Sequence, residues 1–372
     1  MTRAEQSDIL IVGGGIAGLA LARFLRQRGK APLIAEQAPQ WRDQGYGIGL
    51  WKKGIEVLRE LGCLDEARQQ AAEPEEFVVR SAGGGVLSQA QIPPEKTALM
   101  AIYRGDLHAA LREGVPDGWV QMGTAPRRID EEGEKVNVAF EDGTTESFRL
   151  VVGADGIHSA VRQLRFTDWT RNEYDTYVWS LWVPQDIEIG GGMVSVWGPG
   201  SEGFVVCLGD RVGFNLAAQL DHTPEPPAKN ELQAQAEAIG WKLPLLLGGA
   251  TGEPFFDRVR DVTCRRWHAG RTVLIGDAAH AVHPISGMGA SLALQDARAL
   301  AEEIGAASLK NPAPALSRFE ERRRGPAARV QREARLEANV MFLESGPLRW
   351  LRNKVVKHTP LMELFIQQQL NA

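Results

Sequence analysis

The sequence predicts an α/β protein: a parallel α/β domain interrupted by a separate antiparallel sheet and closed by C-terminal helices. Three observations carry this. The chain opens on a short apolar strand, a glycine loop, an apolar-periodic helix and a second strand. From Leu274 it returns to a short apolar run that ends in Gly276-Asp277. Between the two, from about 171 to 256, the composition shifts to β-rich, aromatic segments. Alternating β and α units argue for a parallel sheet, and a block of strands between them for a second layer.

Each element follows from local pattern. Asp8 to Val12 is a buried strand that ends in glycine. The helix after Gly13-Gly14-Gly15-Ile16-Ala17-Gly18 stops at Gly29, and Ala31 to Glu36 is the next strand, which completes a Rossmann-like βαβ unit. Residues 54–70 read as one helix, 75–95 as a hairpin about Gly83-Gly84-Gly85, and 105–114 as another helix. Strands alternate over 119–150, with turns at Glu132-Gly133 and Asp142-Gly143, and Leu150 to Ala154 is again a buried strand. A helix at 230–248 follows the aromatic block; 290–305 and 315–345 are helical, and the last segment is amphipathic. The expected domains are 1–72, 96–172 and 257–320 for the discontinuous α/β unit, 73–95 and 173–256 for the inserted sheet, and 321–372 for C-terminal helices.

Composition narrows the function classes. A chain of 372 residues, 44% hydrophobic and 24% charged, reads as an ordinary soluble globular protein with two cores. Its net charge of −5 gives no general attraction to nucleic acid or anionic lipid, and no basic and aromatic stripe is present. Cys63, Cys207 and Cys264 lie too far apart for metal-type spacing, so no metal is expected and a reducing cytoplasm is the default location. No apolar run approaches the ~20 residues of a membrane helix.

The glycine loop between strand and helix allows close approach to a pyrophosphate, and the helix N-terminus supplies N–H donors. Glu36, followed by Gln37, suits an adenosine ribose and repels a 2′-phosphate, which selects FAD or NAD over NADP at this site. A bare glycine turn with a surface glutamate is the bland alternative; the βαβ context disfavours it. Two further segments, Leu150 to Arg162 (LVVGADGIHSAVR) and Leu274 to Ala297 (LIGDAAHAVHPISGMGASLALQDA), place Asp155-Gly156 and Gly276-Asp277 at strand ends. With all three in order, the sequence resembles the single-component FAD-dependent monooxygenases built on the p-hydroxybenzoate hydroxylase fold.

That resemblance implies tight, noncovalent FAD held by Gly13, Gly15, Ile16, Ala17, Gly18, Glu36 and Gln37 at the adenosine end. It implies Asp155 near the pyrophosphate, Arg104 near the pyrophosphate and ribityl chain, and Gly47, Ile48, Asp277, Pro284, Gly287, Met288, Gly289 and Ala290 toward the ribityl chain and isoalloxazine. Asp277 would accept from ribityl hydroxyls, and the helix near Ala290 would aim its positive end at the N1 and O2 edge. Tyr46 replaces the smaller residue usual before Gly47, and Lys52-Lys53 replaces a more common Pro-Asn pair. Arg162 is expected to brace the Asp155-Gly156 loop by a salt bridge. His280 and His283 are expected to be hydrogen-bonding struts rather than catalysts, so the catalytic residues stay unassigned. Arg322-Arg323-Arg324 reads as a solvated helix face, and Gly190-Gly191-Gly192 as a loop.

The implied reaction uses transient NADH or NADPH and O2 to form a flavin C4a-hydroperoxide that hydroxylates or epoxidises a small aromatic, polyketide-like or olefinic substrate. The substrate would lie between the two domains, with Tyr177, Trp179, Trp182, Trp197, Phe204 and Phe214 as wall residues, about half of which should face away by strand alternation. Rival readings are a flavin halogenase, a prenyl-type flavin reductase and a non-catalytic FAD-binding module. Trp179-Ser180-Leu181-Trp182-Val183-Pro184 lacks the halogenase spacing, and no lysine occurs from Gly54 to Glu95.

Overall fold

The computed structural model describes residues 7–41, 45–92, 99–184, 189, 192–209, 211–306 and 308–371. The chain opens with β1 (Ile9–Val12), α1 (Ile16–Gln27) and β2 (Leu33–Glu36), as the pattern requires. Then come β3 (Gly47–Trp51), α2 (Lys52–Glu60), α3 (Leu64–Gln69), β4 (Ala71–Ala72), β5 (Glu76–Ser81), β6 (Val86–Gln91), β7 (Leu99–Tyr103) and α4 (Arg104–Glu113). The single helix expected over 54–70 is two, because Gly62 turns the chain at φ +69.

Next are β8 (Val120–Met122), β9 (Pro126–Glu132), β10 (Lys135–Phe140), β11 (Thr145–Phe148), β12 (Leu150–Gly153) and α5 (Ala160–Arg165). The aromatic block forms β13 (Trp169–Pro184), β14 (Met193–Trp197), β15 (Ser201–Leu208) and β16 (Arg211–Gln219). Gly240, at φ +73, splits the helix expected over 230–248 into α6 (Lys229–Ile239) and α7 (Leu243–Gly249). The chain then makes β17 (Thr251–Cys264), β18 (His268–Ala269), β19 (Thr272–Leu274), α8 (Asp277–His280), α9 (Gly289–Ala306), α10 (Ala313–Met341), α11 (Gly346–His358) and α12 (Leu361–Asn371).

The α/β unit has a six-stranded sheet in the order β18-β19-β12-β1-β2-β8, parallel except for β18. All four residues of β1 are buried, as a strand covered on both faces must be. The second sheet runs β17-β13-β16-β15-β14-β5-β6. It is antiparallel except where β14 meets β5, a strand drawn from far earlier in the chain. Its two long strands, β13 and β17, overrun the limits set at 173 and 256, because they pair from Trp169↔Cys264 onward. That pairing joins the two units through continuous backbone. Gly190 and Gly191 lie outside the described residues.

Candidate functional site

A cavity of about 530 Å³ lies between the glycine loop and the second sheet. Its floor comes from the α/β unit. Gly13 has φ +104, and a Cβ there would sit 2.5 Å from the Ala154 carbonyl oxygen, so only glycine lets β1 turn beside β12. Gly18 packs on the Gly13 carbonyl and brings α1 down onto β1. Gly15 has open space where a side chain would stand and lines the cavity with Ile16 and Ala17. The Glu36 carboxylate is fixed at the end of β2, accepting from the Gly14 N–H (2.8 Å) and the Ala38 N–H (2.8 Å).

Of the residues assigned to FAD, Gly47, Ile48, Arg104, Asp277, Pro284, Gly287, Gly289 and Ala290 also line the cavity. Gly13, Gly18 and Glu36 shape the loop from outside that lining, Gln37 is exposed, and Met288 is buried in the core. Asp155 turns toward α5, where its Oδ2 accepts from the Val161 N–H (3.0 Å). Burial nevertheless pushes its carboxyl above the usual range, against the Ser159 and Val161 hydrogen bonds. Arg162 braces this loop, but not by a salt bridge. Fully buried, it donates to the carbonyls of Ala278 (2.9 Å) and Ile157 (2.6 Å), and it lies over the Trp169 ring at 4.6 Å.

The turn that carries Asp277 rests on a buried ionic network absent from the sequence reading. Asp296, on α9, accepts from the Gly276 N–H (3.0 Å), His280 Nε2 (2.5 Å) and Arg323 Nε (2.7 Å). Burial alone would raise the Asp296 pKa, but the His280 and Arg323 charges and hydrogen bonds hold it at about 2. His280 also stacks on Trp267 at 4.6 Å, so it is a strut as expected. Arg323 is a correction: the middle arginine of the triplet points inward, while Arg322 pairs with Glu302 and Arg324 with Glu320. In LQDARA, Asp296 carries no mark that separates it from a surface helix aspartate.

Asp277 contrasts with Asp296. No donor among the described residues reaches its carboxylate, which is open to the cavity; enclosure by the surrounding walls, outweighing the positive charges of His280 and Arg104, raises its pKa. An acceptor is therefore held facing the cavity with its hydrogen-bond capacity unused. Gly287 adopts a left-handed φ of +59, and Gly289 opens the 18-residue α9 at the cavity wall. The indole Nε1 of Trp51, another lining residue, is also buried without an acceptor. A dinucleotide with a pyrophosphate for the loop and hydroxyls for Asp277 fits this arrangement, as FAD does.

The roof comes from the second sheet, and its register overturns most of the expected wall. Val178 and Ser180 of β13 face the cavity, so Tyr177, Trp179 and Leu181 face the other way, into a core with α6 and α7. Phe214 joins that core. Trp197 is packed under Arg352 (4.9 Å), and Trp182 meets Tyr103 edge-on (5.2 Å) beyond the lining. Only Phe204 of the six lines the cavity. Residues the pattern did not offer stand with it: Phe77, Asn215, Phe255, Glu202, Phe342 and Phe365. Alternation turns away more than the expected half, because the aromatic residues alone do not show which parity faces inward.

Polar groups on the roof are few. Ser180 Oγ donates to Asn215 Oδ1 (2.6 Å), which leaves the Asn215 amide donors for the cavity. Glu202 Oε1 accepts from Ser195 Oγ (2.5 Å), and that hydroxyl accepts from Trp197 Nε1 (2.7 Å). Burial pushes the Glu202 carboxyl up to about 7 despite the Ser195 hydrogen bond. His283 accepts at Nδ1 from the Ile285 N–H (3.3 Å) and meets Tyr174 edge-on (5.1 Å). Burial lowers it to about 4, so it is neutral at pH 7 and no proton source there.

The family described as FAD binding domain matches residues 6–334. The chain belongs to that family. It is 32% identical over 365 residues to a 3-amino-4-hydroxybenzoate 2-monooxygenase of Streptomyces platensis, covering 93% of this chain and 91% of the relative. A 2-heptyl-3-hydroxy-4(1H)-quinolone synthase of Pseudomonas aeruginosa is 30% identical, covering 95% and 94%. Among solved structures, HpxO of Klebsiella pneumoniae, complexed with FAD and uric acid, superposes with a TM-score of 0.89 at 21% identity, covering 100% of this chain and 98% of that one. The likeness to that structure extends the fold agreement to the inserted sheet and C-terminal helices. The protein is an FAD-dependent monooxygenase.

Proposed function

We propose that the protein hydroxylates a small aromatic substrate that lies between Gly287–Ala290 and the sheet face of Phe204, Ser180 and Asn215. The reaction consumes NADH or NADPH, a proton and O2, and yields the hydroxylated ring, oxidised nucleotide and water. FAD, when bound, supplies the electron transfer and the activation of O2. The protein's part is placement and dryness. Phe77, Phe204, Phe255 and Met193 present apolar faces to a planar ring and exclude water from it. The Asn215 amide would donate to a ring oxygen, and Glu202 would accept from a donor about two residues further along the sheet.

The observation that supports this reading is the single cavity that joins the Asp277 floor to the Phe204 roof. The names of the relatives, which act on aminohydroxybenzoate and make a quinolone, support an oxygenated aromatic ring. Glu36 and Gln37 would hold the adenosine ribose of FAD, and no second dinucleotide loop is needed if NAD(P)H binds transiently. The three cysteines carry free thiols, which suits a reducing cytoplasm. Purified FAD-loaded enzyme should oxidise NAD(P)H faster with phenols, anilines or hydroxyquinolines, and one atom of labelled O2 should appear in the product. Label found only in water, with a genuine product formed, would overturn the reading. Halide-dependent product would favour a halogenase, and alkene reduction without O2 uptake a reductase.

A further inference from the structure

Twelve large hydrophobic side chains are exposed on the described surface, and eight of them fall between residues 336 and 364. Trp350 is 64% exposed and Leu364 59%. The helix that carries Trp350 cannot simply roll inward. On α11, Arg352 donates to the Met341 carbonyl (2.6 Å) beneath Trp197, and Val356 packs with Val79 and Leu87. With that face fixed, Leu348, Leu351 and Val355 form an outward stripe at i, i+3 and i+7. On α12, Phe365 and Ile366 line the cavity, while Leu361 and Leu364 point out. No helix among the described residues is long and apolar enough to cross a membrane.

Charge distinguishes the occupants of such a face. Lys354 and Lys357 are exposed beside the stripe, and Arg349 is half-buried next to Leu348. Lys354 sits over the Trp350 ring at 5.7 Å. Glu363 is the one carboxylate between residues 346 and 364, in a chain whose net charge is −5. A second copy docked through the same face about a two-fold axis would bring together two patches of like net charge. An anionic lipid surface instead pairs them, while the apolar stripe and Trp350 enter the headgroup boundary.

We infer that α11 and α12 form a peripheral docking surface for an anionic bilayer, with the cavity wall of Phe365 and Ile366 directly behind it. The test uses FAD-loaded full-length enzyme and sedimentable vesicles of phosphatidylcholine, with and without phosphatidylglycerol. Binding should require phosphatidylglycerol and weaken as salt rises. Lys354→Gln and Lys357→Gln should each weaken it on the order of fivefold. Trp350→Phe should remove a blue shift of tryptophan emission, and Trp350→Glu should abolish sedimentation, with FAD content unchanged in both. Three results would each overturn the proposal: no sedimentation with either vesicle, binding unaltered by these variants, or a dimer dispersed by Trp350→Glu without vesicle binding.

Discussion

The floor and the roof of the cavity present their polar groups in opposite ways. On the floor, Asp296 is satisfied by three donors and Asp277, close by across the same turn, by none. On the roof, strand parity sorts side chains between the cavity and the α6–α7 core, and polar atoms are mostly paired with one another. The floor leaves one acceptor unpaired toward the cavity, as the proposed contact with FAD requires. The roof offers a shaped apolar surface with one amide and one carboxyl, which suits ligands that come and go. Damage to the floor should therefore appear as lost fold and lost FAD, and damage to the roof as altered substrate binding.

The largest expected effect is at Asp296. Asp296→Asn leaves Arg323 and His280 buried beside a neutral partner, and removing one member of a buried ion pair costs about 3–5 kcal/mol. Urea unfolding should show that loss, with FAD released earlier. Because the folded pKa is depressed to about 2, the stability is present above the unfolded carboxyl value and is lost as pH falls through about 2. The variant should lose this acid limb. An unchanged midpoint would place the anchor of the Gly276 turn elsewhere.

Asp277→Ala should separate the two aspartates. Its carboxyl is open to the cavity and has no protein partner to lose, so removing it leaves the apoenzyme about as stable as before. FAD affinity should fall, since each lost charge-assisted hydrogen bond is worth about 1.5–3 kcal/mol. Titration of apoenzyme by flavin fluorescence quenching measures this. Arg162→Ala should do the reverse, unfolding more easily because two carbonyls and the Trp169 ring lose their partner. Equal losses of FAD affinity would contradict the division.

What the sequence made legible follows the same line. Gly13 and Gly18 are readable because a Cβ fits neither the left-handed turn nor the helix–strand contact, and Gly15 because it leaves open space beside the loop. Asp277 is readable because a carboxylate after an apolar strand has no local use. Asp296 and Arg323 are not, since their bond spans 27 positions and each looks like an ordinary helix-surface charge. The roof failed for a different reason. A strand with large apolar residues on both faces, such as Trp179 and Trp182, gives no clear alternation in its sequence to show which face meets the ligand. Tyr177, Trp179 and Phe214 were therefore as eligible as Phe204. The long strand β17, which supplies Phe255, has no legible pattern, because charges at Asp257, Arg258, Arg260 and Asp261 break its apolar run.

That parity can be tested directly. Phe204→Ala should weaken substrate binding about tenfold, close to 1.4 kcal/mol, and leave the urea midpoint nearly unchanged. Phe214→Ala, on the adjacent strand and facing α6 and α7, should lower the midpoint without changing KM. Reversed outcomes would mean that the register of β15 on β16 has been read onto the wrong face.

The smallest effect, and the finest test of the roof, is at Glu202. Its carboxyl faces Ser195 from the neighbouring strand and Glu337 from α10, and Glu333 adds negative charge next to Glu337. Burial raises both Glu202 and Glu337 to about 7. A carboxyl whose folded pKa lies above its unfolded value binds protons more tightly when folded, so stability falls as pH rises from the unfolded range through about 7. The wild-type apoenzyme should therefore lose urea resistance between acidic and neutral pH. Glu202→Gln should flatten only part of that slope, because Glu337 titrates alongside it. A substrate amine or hydroxyl that donates to Glu202 would stabilise the carboxylate, and its affinity should rise through the same pH range in the wild type but not in the variant. The comparison needs matched ring compounds with and without the donor, titrated by their perturbation of the flavin spectrum. If both compounds show the same pH-independent affinity in both proteins, Glu202 faces the cavity without serving the ligand, and the roof selects by shape alone.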